Sequence, residues 1–275
     1  MALERLGPRV YAWVGTAGAT NAGFILGDET VAVVDSLLTP TAARHLQQRI
    51  QGLSSRPIGF LINTHYHGDH TFGNQVFGSA AIVGHARTRE GLLRFGAEQL
   101  KFFRGRQPLL AREFDQVRLT PPNLTVESGC NLFLGDLEVQ VRHLGPAHTP
   151  GDLVVWVPDE GVLFAGDLIF NGWFPTAAEA NIAGWVQCLS ALEAFPVRLV
   201  VPGHGPIGGR EVIRRLREYF EGVQVEVERA RAAGLSWDEA VAKIQPGEAF
   251  ADWQGSERHA AIVRRLWEPA TSRRD

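Results

Sequence analysis

Residues 63–70 read Asn63-Thr64-His65-Tyr66-His67-Gly68-Asp69-His70, placing four ligand-capable side chains within six positions directly behind the apolar run Ile58–Ile62. An apolar run of this length, entered after Pro57 and left through a polar segment, predicts a short buried strand. In extended backbone His65 and His67 point to the same side, and a turn at Gly68 brings Asp69 and His70 back toward them. One histidine at a strand–loop junction is more often a satisfied structural residue than a ligand. Four such groups in one hexad are harder to accommodate, because each would need its own hydrogen-bond partner in an apolar interior.

Outward from this segment the arrangement recurs. His148 follows the apolar run 137–144, Asp167 follows 162–165 and His204 follows 197–201. Each lies beside turn-forming residues: Pro150-Gly151, Gly166, and Gly203 with Gly205. If those strands lie side by side and point the same way, seven imidazole and carboxylate groups face one sheet edge, and that edge is a metal site. Glycines there let the backbone approach an ion closely.

The remaining pattern alternates strands and helices. Strands are predicted at 10–14, 22–26 and 31–34, the last two joined by the turn Gly27-Asp28-Glu29. Thr39-Pro40 opens a helix to about residue 50, since proline fits the first helical position. A strand at 80–83 and a helix from about 87 to 103 follow, and the Arg- and Pro-rich stretch 104–122 reads as an irregular crossover. The second half restarts with strands at 131–134, 137–144, 153–157 and 162–165. Asn181 then caps a helix carrying Ile182, Trp185, Val186, Leu189 and Leu192 at helical spacing. From Gly208 the tail is helical, with a capping box at Ser236…Glu239. The hairpins Phe24…Asp35 and Val154…Asp167 share a plan of strand, acidic turn, strand and terminal Asp, as two copies of one half-sheet would.

Composition bounds the partners. With 275 residues, 45% hydrophobic and 21% charged, the chain can bury roughly three quarters of its unfolded surface, so a metal is not needed to hold it together. Ligand clusters are therefore expected to serve chemistry. A formal charge of −3 with no run of like charges argues against nucleic acid. Cys130 and Cys188 form neither a CxxC motif nor a disulfide framework. No stretch approaches the roughly 18 apolar residues of a membrane span, and the N-terminus lacks an apolar leader core. A soluble, cytoplasmic protein without membrane association is expected.

The ordered series His65-x-His67-x-Asp69-His70, His148-Thr149-Pro150-Gly151-Asp152, Gly166-Asp167 and Pro202-Gly203-His204-Gly205 resembles the successive motifs of the metallo-β-lactamase superfamily over about residues 20–205. Asp35, after the strand at 31–34, resembles that family's first motif, a buried acid supporting the metal-binding loop. The resemblance implies an α/β fold, an αββα sandwich of two mixed sheets with outer helices. Length and composition point to one domain over residues 1–275, with the helical stretch 209–275 as a C-terminal extension beyond the motifs. The resemblance also implies two zinc ions: His65, His67 and His148 resemble the first site, Asp69, His70 and His204 the second, and Asp167 the bridging carboxylate. Such ligands suit zinc and leave a position for water.

Two divalent ions, two carboxylates and a hydroxide sum to roughly +1, which favours an anionic or carbonyl-bearing small molecule. Zinc lowers the pKa of its water to about 7, so hydroxide can attack an amide, ester or thioester carbonyl while Asp69 orients it and shuttles its proton. Weak lactam cleavage fits this reading. The alternatives are a thioesterase of the hydroxyacylglutathione hydrolase type and a mononuclear Fe2+ persulfide dioxygenase. The acidic residue of the family's flavin-linked oxygen reductases is missing, because His67 stands in its place, and the tyrosine that quorum-signal lactonases carry after the bridging aspartate is also absent. Asn171, Trp173 and Phe174, just past Asp167, are the expected substrate-binding residues. The loop 15–21 is a candidate flap or a plain hairpin tip, His85 reads as a helix-start residue, and the C-terminal helices as a site cover or a homo-oligomer contact.

Overall fold

The computed structural model describes residues 1–267; the last eight residues of the expected C-terminal extension lie outside the described residues. The first sheet runs in spatial order through β1 (Ala2–Arg5), β2 (Val10–Val14), β3 (Ala22–Leu26), β4 (Val31–Val34), β5 (Ile58–Ile62), β6 (Ala81–His85) and β7 (Leu124–Val126). Its pairings are antiparallel from β1 to β4 and parallel from β4 to β7. The second sheet comprises β8 (Gly129–Phe133), β9 (Glu138–Arg142), β10 (Val154–Val157), β11 (Val162–Phe170) and β12 (Leu199–His204), antiparallel except for the parallel pair β11–β12.

Alternation along the strands builds the layers. Ala32 and Val34 of β4, with Val155 and Val157 of β10, face the core between the sheets. Val31 and Val33 face outward onto Leu46 and Ile50 of α1 (Pro40–Leu53). On the opposite side Val154, Trp156 and Leu163 pack against α5 (Ile182–Leu192) and α6 (Glu211–Ala232). This is the αββα sandwich. The short α2 (Gly68–Thr71) follows β5, α3 (Ala86–Arg106) follows β6, and α4 (Ala111–Phe114) lies in the crossover. The tail adds α7 (Trp237–Lys243) and α8 (Glu257–Trp267).

Local signals set the helix ends. The Thr39 hydroxyl accepts from the Ala42 N–H, the Asn181 side chain from Gly184, and Ser236 with Glu239 closes the capping box. On α6 the buried residues Val212, Leu216, Tyr219, Phe220, Val223 and Val227 recur at helical spacing. Each large apolar side chain contributes about 1.5–3 kcal/mol on burial. The exposed pairs Arg214–Glu218 and Arg229–Glu226 contribute about 0–1 kcal/mol each, so the apolar face holds this helix down.

Three expectations are corrected. The strands bearing the ligand series do not lie side by side in one sheet: β4 and β5 belong to the first and β11 and β12 to the second, so the groups meet where two sheets share an edge, the place the family resemblance implies between the two halves. Asp167 and His204 lie within β11 and β12 rather than after them; β11 continues past a register irregularity between Phe164 and Phe170. The crossover 104–122 contains a 3-10 turn (Pro108–Leu110) and α4. The two matched hairpins occur, β3–β4 and β10–β11, each continued by a parallel partner. Among the described residues no helix is long and apolar enough to cross a membrane.

Candidate metal centre

His67 ends the extended segment after β5 and precedes the single turn of α2, so Asp69 and His70 swing back toward His65 and His67. His148 enters from the loop between β9 and β10, Asp167 from β11 and His204 from the end of β12. Two backbone positions make this convergence possible. A Cβ on Gly203 would lie 1.9 Å from Asp167 Oδ1, and one on Gly166, where φ is +50°, would lie 2.6 Å from the Thr64 side chain. Only glycine lets β11 and β12 close on the site there.

All seven expected ligands come together, in two groups whose candidate donor atoms lie within 4.8 Å of one another: His65, His67, His148 and Asp167, then Asp69, His70 and His204. In the first, His67 Nδ1 is 3.1 Å from His65 Nε2 and 3.0 Å from His148 Nε2. Asp167 Oδ2 is 3.3 Å from His148 Nε2 and 3.9 Å from His65 Nε2. In the second, Asp69 Oδ2 is 3.4 Å from His204 Nε2 and 3.7 Å from His70 Nε2. The other oxygen of Asp167, Oδ1, lies 3.1 Å from His70 Nε2 and 3.4 Å from His204 Nε2. One carboxylate thus serves both groups.

These atoms fit a metal. Tetrahedral donors at 2.0–2.1 Å from zinc would stand about 3.3 Å apart, the middle of the separations found here. His70 Nε2 and Asp167 Oδ1, though close, are buried and make no hydrogen bond to each other or to any other group. Buried polar atoms are rarely left so, and these two converge on a common point where a cation would satisfy both.

Behind the donors the opposite imidazole nitrogens are held. Asp35 Oδ2 binds His70 Nδ1 at 2.7 Å and accepts from the Thr64 hydroxyl at 2.8 Å, while its Oδ1 accepts from the Thr64 N–H at 2.8 Å. These bonds hold Asp35 at φ +58°, a left-handed conformation uncommon outside glycine that Asp and Asn tolerate better than most side chains. Thr64 Oγ1 also lies 3.0 Å from His65 Nδ1, and the Gly18 carbonyl 2.8 Å from His204 Nδ1. Such partners orient the ring and fix its tautomer. His148 Nδ1 is buried with no hydrogen-bond partner, its ring packed on Trp185 and Phe170.

The electrostatics divide the same way except at His67, which Glu179 raises against its burial. Burial lowers His65 well below the ordinary imidazole range, with nearby His70 adding to the effect, and takes His148 down to about 4. Burial also opposes charge on His70 and His204, but Asp167, with Asp35 and Asp69 on His70 and Asp69 on His204, outweighs it. His70 is held well above its usual value and His204 is raised to about 10. Asp69 and Asp167 are held below the carboxylate range by His70 and His204, against their burial. The pocket around these carboxylates therefore calls for positive charge, which a divalent ion supplies while displacing protons.

Several contributors escaped the motif reading. The Thr20 hydroxyl donates to Asp69 Oδ2 at 2.6 Å. Glu179 lies 2.9 Å from His67 Nε2 and accepts from the Tyr66 hydroxyl. Both sit among small residues, Thr20 in the loop 15–21 and Glu179 in Thr176-Ala-Ala-Glu-Ala180, where a lone polar group was the available signal. The loop 15–21 is tied into the site through Gly18, Thr20 and the Asn21 amide, which donates to the Pro202 and Gly205 carbonyls, so the flap expectation is not supported.

The expected substrate residues fare unevenly. Phe174 is 1% exposed and packs on Tyr219, Trp253 and His259, so it belongs to the core and cannot line a pocket. Asn171 uses its amide on the Pro206 carbonyl and shapes the turn after His204. Trp173 is half-buried, abutting Gly18 with Arg258 over its ring. His85 caps α3, accepting from the Arg87 N–H.

The family model described as the metallo-beta-lactamase superfamily matches residues 15–204. Among curated proteins the chain is 24% identical over 256 residues to a linear primary-alkylsulfatase of Pseudomonas sp. (strain ATCC 19151), covering 79% of this chain and 48% of that protein. It is 24% identical to a metallo-beta-lactamase type 2 of Bacteroides fragilis, covering 79% and 84%. It is 29% identical to the acyl-coenzyme A thioesterase MBLAC2 of Bos taurus, covering 60% and 62%. The chain thus spans about half the length of the alkylsulfatase. Of solved structures, the stereoselective inverting sec-alkylsulfatase Pisa1 from Pseudomonas sp. superposes with a TM-score of 0.76 at 19% identity, over 96% of this chain and 50% of that one.

Proposed function

The chain belongs to the metallo-beta-lactamase superfamily, and on this premise we propose that it is a two-metal hydrolase cleaving an amide, ester or thioester carbonyl in a small molecule. The observation carrying the proposal is the division of Asp167, one oxygen toward each group of converging donors. His65, His67 and His148 would hold one ion, Asp69, His70 and His204 the other, with Asp167 between them. The donors are imidazole and carboxylate, and neither Cys130 nor Cys188 joins them, a set that suits zinc. When bound, such ions would polarise the reacting carbonyl and lower the pKa of water.

The chain's own residues would do the rest. Asp69 is the more accessible carboxylate, its side chain 16% exposed against 3% for Asp167, so it is the acid that substrate and solvent can reach. With the Thr20 hydroxyl steadying its Oδ2, Asp69 is the group to orient the attacking water and carry its proton. Asp35 and Glu179 add two carboxylates in contact with the ligand imidazoles, which offsets the net positive charge counted from the ligands alone. A neutral reacting carbonyl is favoured over selection for an anion. A mononuclear iron dioxygenase would present the same motifs, so metal content and oxygen uptake separate it from the two-metal hydrolase that the two donor groups suit.

The test is a panel of lactams, thioesters, oxyesters and alkyl sulfates offered to zinc-loaded protein. Turnover of a carbonyl substrate that chelation abolishes and zinc restores is the expected result. Turnover confined to alkyl sulfates, or oxygen uptake with glutathione persulfide, would overturn the carbonyl reading.

A further inference from the structure

Glu179 stands in the loop 171–181 between β11 and α5, and the elements that hold this loop come from the far end of the chain. Gln254 pairs with it through two backbone bonds, donating to the Gly172 carbonyl and accepting from the Phe174 N–H, each at 2.9 Å. Arg258 donates to the Phe174 carbonyl at 3.1 Å, and Arg265 to the Ala180 carbonyl at 2.8 Å, immediately beside Glu179. Between these anchors the Phe174 ring is sunk against Tyr219 and Trp253. All of these C-terminal residues lie beyond residue 204, where the family match ends.

What the loop delivers is a carboxylate to the rear of one imidazole. His67 turns Nδ1 toward His65 and His148 and Nε2 toward Glu179. An anionic acceptor on Nε2 keeps the proton there and leaves the Nδ1 lone pair facing the donor group, the tautomer a metal ligand requires. The Tyr66 hydroxyl, itself buried, secures the carboxylate from the other side.

We infer that Glu179 is a positioning residue for His67, and that residues 254–265 act on the first donor group by holding the loop that presents it. This rests on the two-metal reading above. Exposure does not argue against the role, since the Glu179 side chain is 36% exposed and keeps both partners.

Cobalt titration of the chelator-treated, full-length protein, followed by visible absorption, tests the inference without an activity assay. Wild-type protein should take up two equivalents, with the first-group step identified by its loss in His65→Ala. Glu179→Ala should weaken that step by about 10–100-fold and leave the other step in place. Glu179→Gln, which keeps an acceptor for the Nε2 proton, should recover much of the loss. Arg265→Ala should shift the same step in the same direction by less. An unchanged first step in Glu179→Ala, or equal weakening of both steps with a lowered melting temperature, would overturn the inference while leaving the two-metal reading intact. Wild-type protein that binds no cobalt would overturn both.

Discussion

The two donor groups are supported from different parts of the chain. The second, Asp69, His70 and His204, is held by Thr20, Asp35 and the Gly18 carbonyl, all within the β2–β4 region of the first sheet. The first, His65, His67 and His148, is held by Thr64, by Glu179 from a loop of the second half, and for His148 Nδ1 by no hydrogen bond. One group is therefore built into a sheet edge, while the other depends on a loop anchored by the C-terminal helices. The contrast teaches that two sites sharing a carboxylate need not share rigidity, because each imidazole is only as well placed as the group behind it.

The largest test of that contrast is its common member. Asp167→Ala should remove both metal equivalents, and lower turnover by more than the roughly 10–100-fold that loss of a supporting residue costs. Metal analysis showing both equivalents retained would break the two-group description. Next, Asp35→Asn keeps a side chain that tolerates the left-handed backbone but removes the charge behind His70. It should weaken the second group by about 10–100-fold and the first, reached only through the Thr64 hydroxyl behind His65, by clearly less, read as two steps in a metal titration. Equal loss at both groups would merge what the structure separates.

The pH dependence sharpens the comparison further. A raised imidazole pKa means that a proton must be expelled below that value, so affinity falls as pH falls. His70 is held high and His204 at about 10, and metal uptake by the second group should strengthen with pH across the neutral range, by up to about tenfold per unit for each displaced proton. In the first group His65 is held low and His148 at about 4, so both are already neutral there and only His67, raised by Glu179 against its burial, has a proton to lose. Its slope should be shallower. Zinc competition titrations at several pH values compare the two, and parallel slopes would contradict the assigned partners.

Much of the site was legible in the motifs because its donors sit beside strand ends and glycines, features set by local backbone. His65, His67, Asp69 and His70 need only an extended segment and one turn to converge. Glu179 was not legible, since it meets His67 across 112 positions of sequence with no repeat or spacing to link them. Phe174 was misread for a related reason: an aromatic near a strand end can face a cleft or a core, and here the C-terminal helices close over it.

The amino-acid order by itself determined the helix caps, which seven side chains are suited to a metal and most of the strands (the edge strands β1 and β7 excepted), because those properties depend on neighbours a few residues apart. The resemblance of the motifs already divided those seven around Asp167 and pointed to Asp35 behind them; only the tertiary structure decided which sheet carries each donor, and that the imidazoles lean on the Gly18 carbonyl in one group and on Glu179 in the other. Strand direction, sheet membership and the partner of a buried nitrogen are long-range outcomes of packing, settled when the two sheets close their shared core and bring distant loops to the same edge.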